Sequence, residues 1–528
     1  MAGAGFNSGA GVDAGEERLA SVRAGWRVWA PVAVIFGVLV VWSLNAYLTV
    51  RFNSDIIVEA IGVQDLMRDL GWVWSYPGQL HGGVVEYPIM ALGELIAPGN
   101  PYGFTFIRIF YVPVTGVLLA LSLRRVFPAV NLWWFAGAAV AGPALLHDFR
   151  AISDIYPFGW LLAAIGVYLI AGKRFLFIGG VLLGLGVYEH ASAALMSLPL
   201  VVAMAVRFSF DLRRWVRIAI GGLIGLIPMA LAQFTQGDKL VVWSPAKLEF
   251  PRAFVLLGLS DSGASWPTSM LPGAWGIQNG GTTFLGVSNG VQFYLNLALI
   301  LSLLAFCVVG VVLIVRGRYS WKSPIGFLVI TWFAGLVLAL GLSAVVPTVW
   351  FYGLSLGFLV WVSVALLGGF NLGRIVATVI IAVMGSMSLY SVSAFSGTLG
   401  AIELKFEQQE EISGVAQSLI DNNVSVIFGD YWEVLPVAYA SGGEVDAVTS
   451  TFNRFPLPDV VADSVEVLVG VSSGTIALPA GRESWDSSTA VSELVSTTCR
   501  FISPLPGEYS DLVSLYRCPS SVVVKGIG

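Results

Sequence analysis

About eleven apolar segments, each near the ~20 residues a helix needs to cross a bilayer, divide this 528-residue chain and constrain its fold class. They lie near 30–50, 104–123, 131–147, 153–171, 175–189, 191–206, 215–234, 291–315, 325–345, 347–368 and 375–395. With 56% of residues hydrophobic and 12% charged, no soluble protein of this size could hide so much apolar surface. Lipid must be the main solvent, so the fold class is a polytopic α-helical membrane protein. The first segment, Ala30 to Val50, is longer than a signal-peptide core and more spans follow, so it reads as retained. Residues 1–29, rich in Gly and Ala at the start, read as a disordered cytoplasmic tail. The stretch Val84 to Ala97 is short and carries Glu86 and Glu94, which suits an interfacial or re-entrant helix.

Charge placement orients the spans. With the N-terminus inside, the cytoplasmic turns hold Arg124/Arg125, Lys173/Arg174, Arg207/Arg213/Arg214/Arg217, Arg316/Arg318/Lys322 and Arg374. The opposite loops hold most of the acids, from Asp55 to Glu86, then Asp148, Asp154, Glu189, Asp238, Glu249 and Asp261. This is the positive-inside bias repeated at each turn. An odd number of spans leaves the C-terminal part extracytoplasmic, in a protein of the plasma membrane. The net charge of −5 excludes a strongly basic nucleic-acid binder.

Three regions follow: the tail, a transmembrane domain over 30–396 with large outer loops at 51–103 and 235–290, and an α/β domain over 397–528. In the last, 403–422 and 487–498 read as helices, 424–428 and 465–471 as strands. Outside the cytoplasm, Cys499 and Cys518 would pair, closing a loop worth on the order of 3 kcal/mol. Cys307 lies in an apolar run and reads as a small hydrophobe.

The chemistry would sit at the outer ends of the spans. Asp55 and Glu59 are one helical turn apart. The next outer turn carries His147, Asp148, Arg150 and Asp154, and the third reads Tyr188-Glu189-His190. Ionisable groups at such depth cost roughly 2.5–3.5 kcal/mol each in hydrocarbon, so they should face a wet cavity. Carboxylates there could act as a base or bind a metal, and an Arg could pair with phosphate. Trp72, Trp74, Trp243, Trp266 and Trp275 could stack on sugar rings or form an ordinary aromatic belt. Other plain readings stay open. Asp55 could cap the helix that follows it, and Glu59, Asp65 and Asp69 could be a solvated face. Arg150 could sit at lipid headgroups, Arg108 could snorkel or pair with an acid, and His190 could be a hydrogen-bonded interface residue.

The order of motifs resembles the GT-C superfamily of polyprenyl-phosphate-sugar-dependent glycosyltransferases, of the protein O-mannosyltransferase and aminoarabinose transferase type. Ser54-Asp55-Ile56 follows the first span, and Gly71-Trp72 and Glu86-Tyr87-Pro88 precede an apolar helix. Phe106-Ile107-Arg108-Ile109, the Arg150 to Tyr156 segment and the Gly-rich run Gly179 to Gly186 follow. The likeness covers residues 30–210 by motif and the later spans by architecture. It implies a GT-C-like transmembrane domain and a catalytic base at Asp55. The phosphate would be bound by Arg150 and Arg108, in a cavity lined by Glu59, Glu86, Tyr87, His147, Asp148, Asp154, Tyr188, Glu189 and His190. Several members carry an adjacent Asp-Glu pair after the first span, whereas Ile56 follows Asp55 here.

The implied function is an inverting glycosyltransferase moving a sugar from a polyprenyl-phosphate donor to an extracytoplasmic cell-envelope glycan, lipid or protein. No cofactor is assigned, and a divalent metal stays open. A transporter or flippase of lipid-linked sugars is the alternative, as is a non-catalytic assembly protein. A transporter would place ionisable groups near the bilayer midplane and often shows repeated halves, and no repeat is apparent here.

Overall fold

The computed structural model describes residues 10–49, 54–68, 82–141, 156–236, 305–345, 353–394, 398–429, 431–449, 466–472 and 499–519. Helices appear where the apolar segments predict them. They are α1 (Ala10–Thr49), α2 (Ser54–Met67), α3 (Tyr87–Ile96), α4 (Pro101–Thr105), α5 (Tyr111–Val126), α6 (Leu132–Ala141) and α7 (Tyr156–Ala171). Next come α8 (Leu176–Glu189), α9 (Ser192–Phe208), α10 (Leu212–Gly225), α11 (Ile227–Gln236) and α12 (Ala305–Val315). The last apolar ones are α13 (Pro324–Val345), α14 (Gly353–Leu367) and α15 (Asn371–Ala394). Three described stretches are long and apolar enough to cross a membrane by themselves: Gly25–Leu48, Pro101–Val126 and Leu212–Ala232. Large apolar side chains such as Phe36, Val41, Leu223, Phe333, Leu372 and Ile375 face outward from the bundle, as lipid contact requires. The chain is a multi-pass membrane protein.

The helix begins at Ala10, so most of the stretch composition assigns to a disordered tail is continuous with the first span. Ala10, Ala14, Glu16, Glu17, Arg18 and Leu19 are good helix formers, and an adjoining helix removes their nucleation cost.

An aromatic column fills the middle of the bundle. Trp160 of α7 meets Phe358 of α14 with ring centroids 5.4 Å apart, Phe358 meets Trp361 at 5.1 Å, and Trp361 meets Phe135 of α6 at 5.9 Å. These edge-to-face contacts are worth about 0.5–1.5 kcal/mol each beyond their burial. The Gly-rich run explains the position of α8. A Cβ on Gly180 or Gly184 would collide with the backbone of Ile218 or Gly222 in α10, and one on Gly221 or Gly225 with that of Phe177 or Val181. On its other side, Gly179 and Gly186 abut Gly166 and Gly159 of α7. Small residues let three helices approach backbone to backbone, which is how helices associate where lipid supplies no hydrophobic drive.

The predicted basic turns meet at one end. The Arg125 guanidinium lies 3.6 Å from the centroid of Tyr168, Lys173 sits 3.9 Å over Phe208, and Arg207 lies 5.1 Å from Phe127. Asp211 caps α10 there by accepting from the Arg214 N–H at 2.9 Å.

The C-terminal part is a small α/β domain. Helix α16 (Thr398–Asp421) leads into β1 (Val426–Gly429), α17 (Tyr431–Ala440), β2 (Asp446–Thr449), β3 (Glu466–Ser472), β4 (Arg500–Pro504) and β5 (Val513–Pro519). The sheet order is β2-β1-β3-β5-β4. Strands β2, β1 and β3 are parallel, with Phe428 opposite Val448 and Val426 opposite Val469. Strand β5 is antiparallel to both neighbours. Ile412, Val415 and Leu419 of α16 and Val434 and Val437 of α17 pack with Ile427 and Leu515. Arg500 pairs with Arg517, so Cys499 and Cys518 fall opposite each other and form the expected disulfide. The helix expected over 487–498 lies outside the described residues.

Candidate functional site

Arg108 anchors the end of the bundle opposite the basic turns. It lies in a 3-10 stretch, Phe106–Phe110, set between α4 and α5. Pro113 in the first turn of α5 has no N–H for the Ile109 carbonyl, which accounts for the tightened turn. The Arg108 side chain is fully buried, and its Nε and Nη2 donate to the two oxygens of Glu86 at 2.9 Å each. Nη2 also meets Glu59 Oε2 at 2.5 Å and Met90 Sδ at 3.6 Å. A guanidinium in such a place requires carboxylates. Removing one partner of a buried pair costs about 3–5 kcal/mol.

Two expectations change here. Glu59 is not on a solvated face: it is 1% exposed and paired, because a buried arginine two helices away demands it. The Arg108 guanidinium, offered to phosphate by the resemblance, is instead held by Glu59 and Glu86. The alternative reading, that it pairs with an acid, is the one observed.

A third carboxylate joins them. Glu189, the last residue of α8, is 1% exposed and its Oε2 accepts from the Val85 N–H at 3.0 Å, while its carbonyl accepts from Gly83 at 3.0 Å. Gly83 is needed there, since a Cβ would strike Glu189 and Tyr188. Tyr87 packs on Gly62 of α2, where a Cβ would stand 2.8 Å from its hydroxyl. Glu189 Oε1 and Tyr87 Oη are buried and find no hydrogen-bond partner among the described residues. Two carboxylates therefore hold the guanidinium, and a third, Glu189, is buried nearby.

His190 is a structural neighbour of this group. Its Nδ1 lies 2.7 Å from Ser192 Oγ, which also accepts from Trp160 Nε1 at 2.8 Å. The Ser192 N–H also donates to Nδ1, at 3.2 Å. Tyr156 lies against the ring at a 47° tilt, with 3.8 Å between centroids. The hydrogen-bonded interface reading holds.

Asp55 is the second residue of α2, four positions before Glu59. His147, Asp148, Arg150 and Asp154 lie outside the described residues, as do Trp72, Trp74 and the Trp residues of the 235–290 loop. Among the described residues, no group of three His, Cys, Asp or Glu side chains could hold a metal ion. Sequence reasoning overlooked Tyr111 and Met90 beside Arg108. It also overlooked the polar link of Glu94 to Gln64 and Tyr439, for which a carboxylate inside a short apolar helix was the available signal.

No protein-family model and no curated protein matches the chain by sequence. By structure it is similar to crystal structures of ArnT from Cupriavidus metallidurans. The apo form aligns over 95% of this chain and 99% of its own, at 12% identity and a TM-score of 0.44. The form bound to undecaprenyl phosphate aligns over 93% and 98%, at 12% identity and a TM-score of 0.43.

Proposed function

We propose that this chain is an inverting glycosyltransferase that moves a sugar from a polyprenyl-phosphate donor to an extracytoplasmic acceptor of the cell envelope. The observation that carries the reading is the gathering of Glu59, Glu86, Glu189 and Arg108 at one end of the bundle, Glu59 standing on the helix that also holds Asp55. Asp55 takes the proton of the acceptor hydroxyl, whose oxygen attacks the anomeric carbon. The carbon–oxygen bond to the lipid phosphate breaks with its electron pair leaving on the phosphate, and the configuration inverts. A phosphate is a good leaving group, so a base and charge stabilisation suffice. Arg150 is assigned to the departing phosphate.

Within this reading Arg108 works on the protein. By holding Glu59 of α2 and Glu86 ahead of α3, it fixes the helix on which Asp55 sits one turn earlier. The basic end then faces the cytoplasm and the carboxylate end the exterior. The core of Trp160, Phe358, Trp361 and Phe135 between the two ends is apolar, which favours chemistry at one face over a path across the membrane. Deleting the protein from its host and comparing envelope glycans by mass spectrometry tests the reading. A missing sugar supports it; an unchanged envelope contradicts it.

A further inference from the structure

The C-terminal domain shares a hydrophobic core with the helices that carry the carboxylates. Leu435 and Tyr439 of α17 are buried among Ile56, Ile57, Val63 and Met90 of α2 and α3. A polar joint crosses the same contact. Tyr439 donates to Glu94 Oε2 at 2.5 Å, while Glu94 Oε1 accepts from Gln64 Nε2 at 2.8 Å and from the Gly99 N–H at 2.9 Å. One buried carboxylate on α3 is thus satisfied by α2, by the turn after α3, and by the C-terminal domain. That turn needs Gly99 at φ +66°, where its Cα hydrogen faces the Ala440 carbonyl.

The contacts run on to the site. Met90 packs in the shared core and its sulfur touches Arg108, and Glu86 stands at the N-terminus of α3. Holding α3 on α2 from outside the bundle is therefore the same act as holding Glu86 and Glu59 on Arg108.

We propose that the C-terminal domain is a positioning element of this site, acting through Tyr439 and Glu94 rather than by touching substrate. The inference rests on the proposed transferase only for its effect on turnover. Its mechanical half stands alone.

The test uses the full-length protein in detergent or nanodiscs, with Tyr439→Phe and, as control, Val415→Ala, which weakens the domain's own core away from the joint. Hydrogen exchange of 54–67 and 87–96 is expected to speed up about tenfold in Tyr439→Phe and to stay unchanged in Val415→Ala. With a polyprenyl-phosphate-linked sugar as the probe, kcat is expected to fall about tenfold or more in Tyr439→Phe while KM for the lipid stays the same. Acceleration confined to 431–440, or equal acceleration in both variants, would overturn the proposal, as would a rise in KM with kcat intact. If the wild type transfers no sugar, the proposed function fails while the exchange result still decides this inference.

Discussion

Arg108 Nη2 stands 2.5 Å from Glu59 Oε2, joining the start of the second membrane segment to the helix after the first. Neither side chain reaches solvent. Arg108→Met leaves two carboxylates facing each other without their cation. It is expected to cost about 3–5 kcal/mol, read as a lowered unfolding temperature in detergent. Arg108→Met combined with Glu59→Gln and Glu86→Gln should recover part of that loss, and a triple variant no more stable than the single one would refute the ion-pair explanation.

Neighbouring glycines on α10 give opposite expectations. A Cβ on Gly221 would collide with the Phe177 carbonyl, whereas one on Gly222 finds its nearest neighbour 3.8 Å away. Gly221→Ala should destabilise by about 1–3 kcal/mol, and Gly222→Ala should be neutral or better. Paired thermal melts decide it.

The joint between α2 and the C-terminal domain has a pH signature. Burial pushes the carboxyls of both Asp65 and Asp446 above their ordinary range; the Arg68 guanidinium offsets part of the shift at each, and Asp446 adds to it at Asp65. The folded state then binds more protons than the unfolded one between the ordinary and raised values. Stability is expected to rise as pH falls through the raised values, the gain being complete below the ordinary ones and absent above the raised ones. Asp65→Asn should shrink that gain. A larger dependence in the variant would contradict the burial argument.

The Cys499–Cys518 bridge staples β4 to β5 at the sheet edge. Cys499→Ser with Cys518→Ser should lower the stability of the C-terminal domain by on the order of 3 kcal/mol. The measurement is hydrogen exchange of 500–519, with 156–208 unchanged.

The sequence carried the helical layout because long apolar runs have one solution in lipid, and helices overlap the expected segments in their described residues. The strands expected at 424–428 and 465–471 appear at 426–429 and 466–472, and the disulfide followed from reading the C-terminal part as extracytoplasmic. Pairing was not. Glu59 has the spacing of a solvated helix face, and only the tertiary position of Arg108 shows that it is buried. His190 looked able to ligate or to bond, and its choice depends on Ser192 and Trp160, which no spacing rule joins. The Tyr439–Glu94 contact spans 345 residues of chain, so nothing local could announce it. The expected roles of Asp55 and Arg150 rest on the motif order.

Sugar transfer from a polyprenyl-phosphate donor by purified wild type and Asp55→Asn is the most direct measurement. Both should elute as one folded species, and transfer should drop by a factor of about a hundred or more in the variant, the usual loss when a general base is removed. Full transfer by a well-folded Asp55→Asn protein would contradict the mechanism at its root.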